Sequence, residues 1–216
     1  MNTKALVAEC IGTFTLIYAG VMAIAHGGGD LTAVALAHGL AIAVMVSATA
    51  AVSGGHLNPA VTIGLLTARK IDLVNAIGYV VAQCVGGLAA AAVVLATLGQ
   101  GAVALGTPVP ASGHAPWVVI VIEAVLTFFL VFVVYGTAVD KRAPKVGGLF
   151  IGLTIVLGIL AAGPITGAAI NPARHLGPAL LGGEGPFLGQ VWIYWVGPVA
   201  GGIVAAQVYR MFLEEK

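Results

Sequence analysis

Residues 53–62 read SGGHLNPAVT and residues 166–175 read TGAAINPARH, two copies of Asn-Pro-Ala, each behind a short Gly-containing run. Proline is accepted in the first turn of a helix, where its missing N–H is not needed. Asn58 and Asn171 therefore read as N-caps. Pro59-Ala60 and Pro172-Ala173 open short helices, expected from Pro59 to about Ala68 and from Pro172 to about Leu181. The apolar stretches that hold them, residues 53–68 and 163–181, are too short to cross a bilayer. Half-length helices at membrane depth are allowed only where their irregular backbone lines a cavity or is buried in protein.

The rest of the chain supplies the membrane. Of 216 residues 60% are hydrophobic and only 8% are charged, too few to cover a soluble domain of this size. A span needs about 20 apolar residues, and six are expected near 5–25, 31–52, 72–97, 117–139, 147–162 and 189–213. Lys4 ahead of the apolar stretch from Ala5 to Ala25 resembles a signal peptide, but that stretch is long and carries Glu9. It is read as a mature span. Gly86-Gly87 and Gly201-Gly202 suit close helix contacts in lipid. Cys10 and Cys84 lie in apolar runs without metal-ligand spacing and read as small buried hydrophobes. The net charge of +1, with no basic tail, gives no sign of nucleic acid.

The halves repeat. VAECIGTFTLIYAG around Glu9 answers VIEAVLTFFLVFVVYG around Glu123; Glu9 precedes Asn58 by 49 residues and Glu123 precedes Asn171 by 48. Each half holds three spans and one half-helix. Three is odd, so the second half enters from the opposite side and the repeat is inverted. The expected organisation is a single all-α unit over 1–216, with repeats at about 1–97 and 117–216. The Gly- and Pro-rich connector 98–116 reads as a long loop. Eight basic residues (Lys4, Arg69, Lys70, Lys141, Arg142, Lys145, Arg210 and Lys216) fall on one side, which places both termini in the cytoplasm. Arg174, directly after the second Asn-Pro-Ala, breaks that pattern and marks a functional site.

Inverted half-helices point their N-termini at the bilayer middle, where unpaired N–H groups and partial positive charge repel cations. The Asn58 and Asn171 amides can donate to a passing water. A water held by both must turn its hydrogens away, which interrupts a proton wire. Carbonyls of Gly54, Gly55, His56, Gly167 and Ala169 are expected along the path as acceptors. Glu9 and Glu123 read either as a proton relay or, preferably, as acceptors for backbone N–H groups in the loop before a half-helix.

These paired motifs resemble those of the aquaporin (major intrinsic protein) family over nearly the whole chain. The resemblance implies six spans plus two half-helices, one pore per subunit and a homotetramer. It further implies passive water flux, with ammonia, urea or other small neutral solutes, and exclusion of ions and protons. Selectivity by pore diameter, lining groups and half-helix dipoles is general for this class of channel. Counting back from the motifs, with Pro164 as an anchor, the family's four-residue outer filter maps to His38, Ile159, Ala168 and Arg174. That set, with ILAAGPITGAAINPAR (159–174), LGPAL (176–180) and WIYWVGP (192–198), looks like the plant tonoplast intrinsic subgroup. Ile159 replaces a hydrogen-bonding wall with an apolar one, and His38 reads either as a donor to ammonia or water or as a histidine packed between helices.

Glycerol facilitators usually carry Asp after the second-motif arginine and a Pro-Leu pair in the last span; here stand His175 and Tyr194-Trp195. His175 reads as a hydrogen-bonding residue near the outer mouth, with a pH sensor as the alternative. His114 reads as an exposed loop residue or one reaching over the outer mouth. His26 reads as solvent-exposed and His56 as facing the inner vestibule. A solute-selective facilitator for glycerol or ammonia is the nearest alternative function. A secondary transporter comes next, disfavoured because no acidic pair sits at the midplane, and a purely structural junction protein last. No nucleophile, metal cluster or phosphate loop points to an enzyme, and no cofactor is expected. The expected location is the cell membrane.

Overall fold

The computed structural model describes residues 2–144 and 146–215. Lys145 and Lys216, two of the basic residues that set the expected orientation, lie outside them. Helices α1 (Thr3–His26), α2 (Leu31–Ser53) and α4 (Leu73–Leu98) form the first three spans, with half-helix α3 (Pro59–Thr67) between the second and third. After the connector come α6 (Pro116–Val134, continued as a π-helical turn over Tyr135–Val139), α7 (Gly147–Thr166) and α9 (Phe187–Phe212). Half-helix α8 (Pro172–Leu181) lies between the last two. Among the described residues, six helices are long and apolar enough to cross a membrane. Large apolar side chains such as Val44, Val81, Leu157 and Trp117 remain exposed on them, as lipid contact requires.

Local chemistry sets the helix ends. The Asp30 and Asp72 carboxylates cap α2 and α4 by accepting from Thr32 N (2.8 Å) and Asn75 N (3.0 Å). Gly54 and Gly167 end α2 and α7 in the left-handed region, at φ 87° and 77°. The fifth span runs to Thr166, four residues past the expected 162. Pro164 lies inside its last turn and leaves the Leu160 carbonyl without an α-helical donor.

Pairing follows the repeat. α1 packs on α4 as α6 packs on α9, and each half-helix lies against the last span of the other half, α3 on α9 and α8 on α4. The glycine pairs make these approaches: a Cβ on Gly87 would stand 2.8 Å from the Ala173 carbonyl oxygen, and one on Gly202 would stand 2.7 Å from that of Ala60. At nine and ten residues, α3 and α8 are each about 14–15 Å long, so the two in series span about the 30 Å hydrocarbon core.

The connector is not a continuous loop. It contains a seven-residue helical piece absent from the expectation, α5 (Gln100–Gly106). Its Val103 is fully buried in a cluster with Ile17, Val21 and Val94, and this packing overrides the weak helix preference of its glycines. At the opposite end of the bundle, charged loops and the C-terminal segment gather. Lys70 pairs with Glu214, which also accepts from the Tyr135 hydroxyl (2.8 Å). Arg142 bonds Asp140 (2.6 Å) and the Leu213 carbonyl (2.7 Å). The Arg142 guanidinium holds the Asp140 carboxyl well below the usual carboxylate range.

Candidate functional site

The two half-helices meet tip to tip. Asn58 caps α3 by accepting from Ala60 N (2.8 Å), and Asn171 caps α8 by accepting from Ala173 N (3.0 Å). Each amide nitrogen then crosses to the other half: Asn58 Nδ2 donates to the Ile170 carbonyl (3.0 Å), and Asn171 Nδ2 donates to that of Leu57 (2.8 Å). One hydrogen of each amide is thereby engaged, and one remains. Both side chains, with Gly55, His56, Ala168 and Ala169, line a narrow cavity of about 20 Å³. Pro59, Ala60, Pro172 and Ala173 are buried beneath it. Gly167 lines a second cavity toward the connector, while Gly54 is exposed at the end of α2 and lines neither.

The loops before the caps are strained and held. Leu57, Ala168 and Ile170 sit at φ 51°, 40° and 56°, a region that L-residues avoid. Buried Glu9 accepts from His56 N (2.9 Å) and Leu57 N (2.6 Å); buried Glu123 accepts from Ala169 N (3.0 Å) and Ile170 N (2.7 Å). Several partners escaped the sequence reading. Ser53 and Thr166 hydroxyls donate to these carboxylates at 2.6 and 2.8 Å. Tyr79 and Tyr194 hydroxyls donate to the Ser53 and Thr166 carbonyls at 2.9 and 2.7 Å. Gln83 adds a fourth donor to Glu9 (2.7 Å) and bonds Thr62. A lone Gln in an apolar span, and a Tyr at matching places in the third span of each half, were the available signals.

His38, Ile159, Ala168 and Arg174 come together. All four line the central cavity, and His38, Ile159 and Arg174 also line the outer cavity of about 250 Å³, so they stand where the two meet. Arg174 Nη1 donates to the Gly106 carbonyl at the end of α5 (3.0 Å), and Nη2 points at His38 Nε2 (3.4 Å). Reading the connector as a loop concealed that carbonyl. His38 Nδ1 lies 2.8 Å from the Val34 carbonyl, so that nitrogen carries the proton. In the neutral ring Nε2 is then an acceptor, which corrects the expectation of a donor toward solute.

His175 also departs from expectation. Its ring is fully buried and stacked on Tyr194 (centroids 4.2 Å apart, 19° between planes), with the Pro108 carbonyl of the connector as its nearest backbone acceptor. It packs against Tyr194 and does not line the passage. Like Thr62 in the first half, it lies four residues past the cap, but Pro198 stands where Gln83 stands in α4 and offers no polar partner. His26 and His114 are exposed, and His56 Nδ1 faces Thr62 Oγ1 (3.1 Å) beside the central cavity.

Residues 1–209 match the family described as Major intrinsic protein. The chain is 49% identical to aquaporin TIP4-4 of Zea mays, over 95% of its own length and 85% of that protein's. It is 40% identical to glycerol uptake facilitator protein-like 6 of Lactiplantibacillus plantarum, over 96% and 97%. In three dimensions it resembles the X-ray structure of the aquaglyceroporin from Plasmodium falciparum, with a TM-score of 0.87 at 27% identity, covering 99% of this chain and 97% of that one.

Proposed function

Because the chain belongs to the major intrinsic protein family of multi-pass membrane channels for small solutes, we propose that its solute is chiefly water, with ammonia and other small neutral molecules admitted and ions and protons excluded. The observation that carries this reading is the pair of reciprocally bonded Asn tips beside a cavity whose outer end is bounded by His38, Ile159, Ala168 and Arg174. The remaining amide hydrogens of Asn58 and Asn171 donate to a passing water oxygen, and carbonyls of the loops ahead of each cap accept from its hydrogens. A water so oriented breaks the proton wire. The half-helix N-termini and Arg174 oppose cations. Glu9 and Glu123 hold the loop geometry on which this depends.

At the constriction Arg174 supplies the donors, His38 Nε2 an acceptor, and Ile159 an apolar wall. An apolar wall does not penalise a solute with few hydrogen-bonding groups, which supports ammonia. It also favours a second reading, a glycerol-type facilitator, in line with the likeness to the Lactiplantibacillus protein. On this proposal the chain assembles as a homotetramer in lipid, in the cell membrane, with both termini in the cytoplasm. The charged cluster of Lys70, Arg142 and Glu214 then faces the cytoplasm.

Stopped-flow light scattering on proteoliposomes tests the reading. Water flux should exceed that of bare lipid with weak temperature dependence, and ammonium gradients should dissipate faster than in empty vesicles. Glycerol flux equal to or above water flux would favour the facilitator. Saturating uptake would point to a transporter, and no flux above lipid would end the channel reading.

A further inference from the structure

We propose that Gly20 is a positioning residue for solute passage: by leaving room for the His38 ring, it sets the width of the outer constriction. This rests on the channel reading above. Gly20 is buried on α1, and a Cβ built there would fall onto Nε2, Cε1 and Cδ2 of His38, too close for any of the three to stay in place. A single methyl group therefore requires the ring or the helix to move.

The ring has little freedom to retreat. His38 is 2% exposed, and its Nδ1 is tied to the Val34 carbonyl one turn earlier on α2 at 2.8 Å. The open space beside it is the passage, because His38 lines both the central and the outer cavity. A side chain at position 20 thus drives the imidazole toward Arg174, whose Nη2 already stands 3.4 Å from Nε2. Moving α1 away instead is resisted by the next residue. The Val21 side chain fills the place that a Cβ on Gly106 would take (2.6 Å), and the Gly106 carbonyl holds Arg174 Nη1 at 3.0 Å. Gly20 and Val21 therefore back the two polar groups of the constriction, the first directly and the second through α5. Protein interiors are close-packed and transmit a displacement of this size to their neighbours.

The test is water permeability of proteoliposomes at equal protein content, for the wild type, Gly20→Ala, His38→Ala and Gly20→Ala/His38→Ala. Gly20→Ala is expected to lower water permeability at least fivefold. The double variant should return to within a factor of two of His38→Ala, because the ring that the methyl displaces is gone. A role for Gly20 in helix packing alone predicts no such recovery. Unchanged flux in Gly20→Ala, or a double variant as slow as the single one while His38→Ala conducts, would overturn the inference and leave the channel reading intact. Wild-type vesicles no more permeable than lipid would bring down both.

Discussion

Replacing Glu123 by alanine removes the acceptor for Ala169 N, Ile170 N and the Thr166 hydroxyl from a site that water does not reach. Each buried donor left unpaired costs about 1–3 kcal/mol, so the two backbone N–H groups alone amount to about 2–6 kcal/mol. The same bonds oppose backbone strain at Ala168 and Ile170, about 1–3 kcal/mol each for non-glycine residues at φ 40° and 56°. The two quantities are comparable. Without the carboxylate, the loop should leave its left-handed geometry, and the passage lined by Ala168 and Ala169 should lose its shape. We expect Glu123→Ala to insert normally, since it replaces the acidic side chain of α6 with an apolar one, but to lose water permeability about tenfold or more and to unfold at lower temperature in detergent. Glu123→Gln should be intermediate. Its amide nitrogen can face the Thr166 hydroxyl, which can turn to accept, leaving only Ala169 N unpaired at about 1–3 kcal/mol. The assays are stopped-flow permeability at equal reconstitution and thermal unfolding followed by circular dichroism. Wild-type flux and stability in Glu123→Ala, or a Gln variant worse than the Ala variant, would refute the reasoning.

Arg174→Ala should widen the constriction and raise leak of charged and larger solutes, read as proton and urea flux; an unchanged leak would count against its role. Asn58→Asp removes the donor to the Ile170 carbonyl and adds negative charge at the half-helix tips, so cation leak should rise and water flux fall. Patch recording and light scattering on the same preparation would show both. Ammonia flux through the wild type should exceed that through Ile159→His, measured with an internal pH dye, because the added imidazole restores a polar wall. Asp140 has a folded pKa below its unfolded one, so its contribution to stability is present above the ordinary carboxylate pKa and is lost as pH falls through the depressed value. Arg142→Ala should therefore shift the acid limb of thermal stability to higher pH, checked by unfolding scans carried from neutral pH to well below the ordinary carboxylate pKa.

The half-helices were legible because Asn-Pro encodes a cap chemically, and the repeat made each instance vouch for the other. The spacing of Glu9 and Glu123 from those caps brought the carboxylates to the same loops, and their hydrogen bonds fall on the N–H groups ahead of each cap. What escaped depends on contacts between elements distant in sequence. α5 buries one large apolar side chain, Val103, too little for a periodic signal, so its helix and the Gly106 carbonyl that holds Arg174 stayed hidden. His175 reads from its polarity as a hydrogen-bonding residue near the outer mouth, whereas its ring stacks on Tyr194 in a place that the hydroxyl of Thr62 occupies in the other half. Which nitrogen of His38 is protonated depends on a carbonyl one turn away, and residue spacing does not reveal a ring's orientation.

The bonds that cross between Asn58 and Ile170, and between Asn171 and Leu57, join parts of the chain more than 110 residues apart. A ribosome that has released only the first three spans has made a cap whose amide lacks its eventual acceptor, and a loop carbonyl that lacks its donor. The centre of the molecule is thus closed late in synthesis, when the second short helix arrives and completes what the first began. Until then the nascent half carries unmatched polar groups at membrane depth, a liability that favours prompt docking of the two repeats over independent persistence of either.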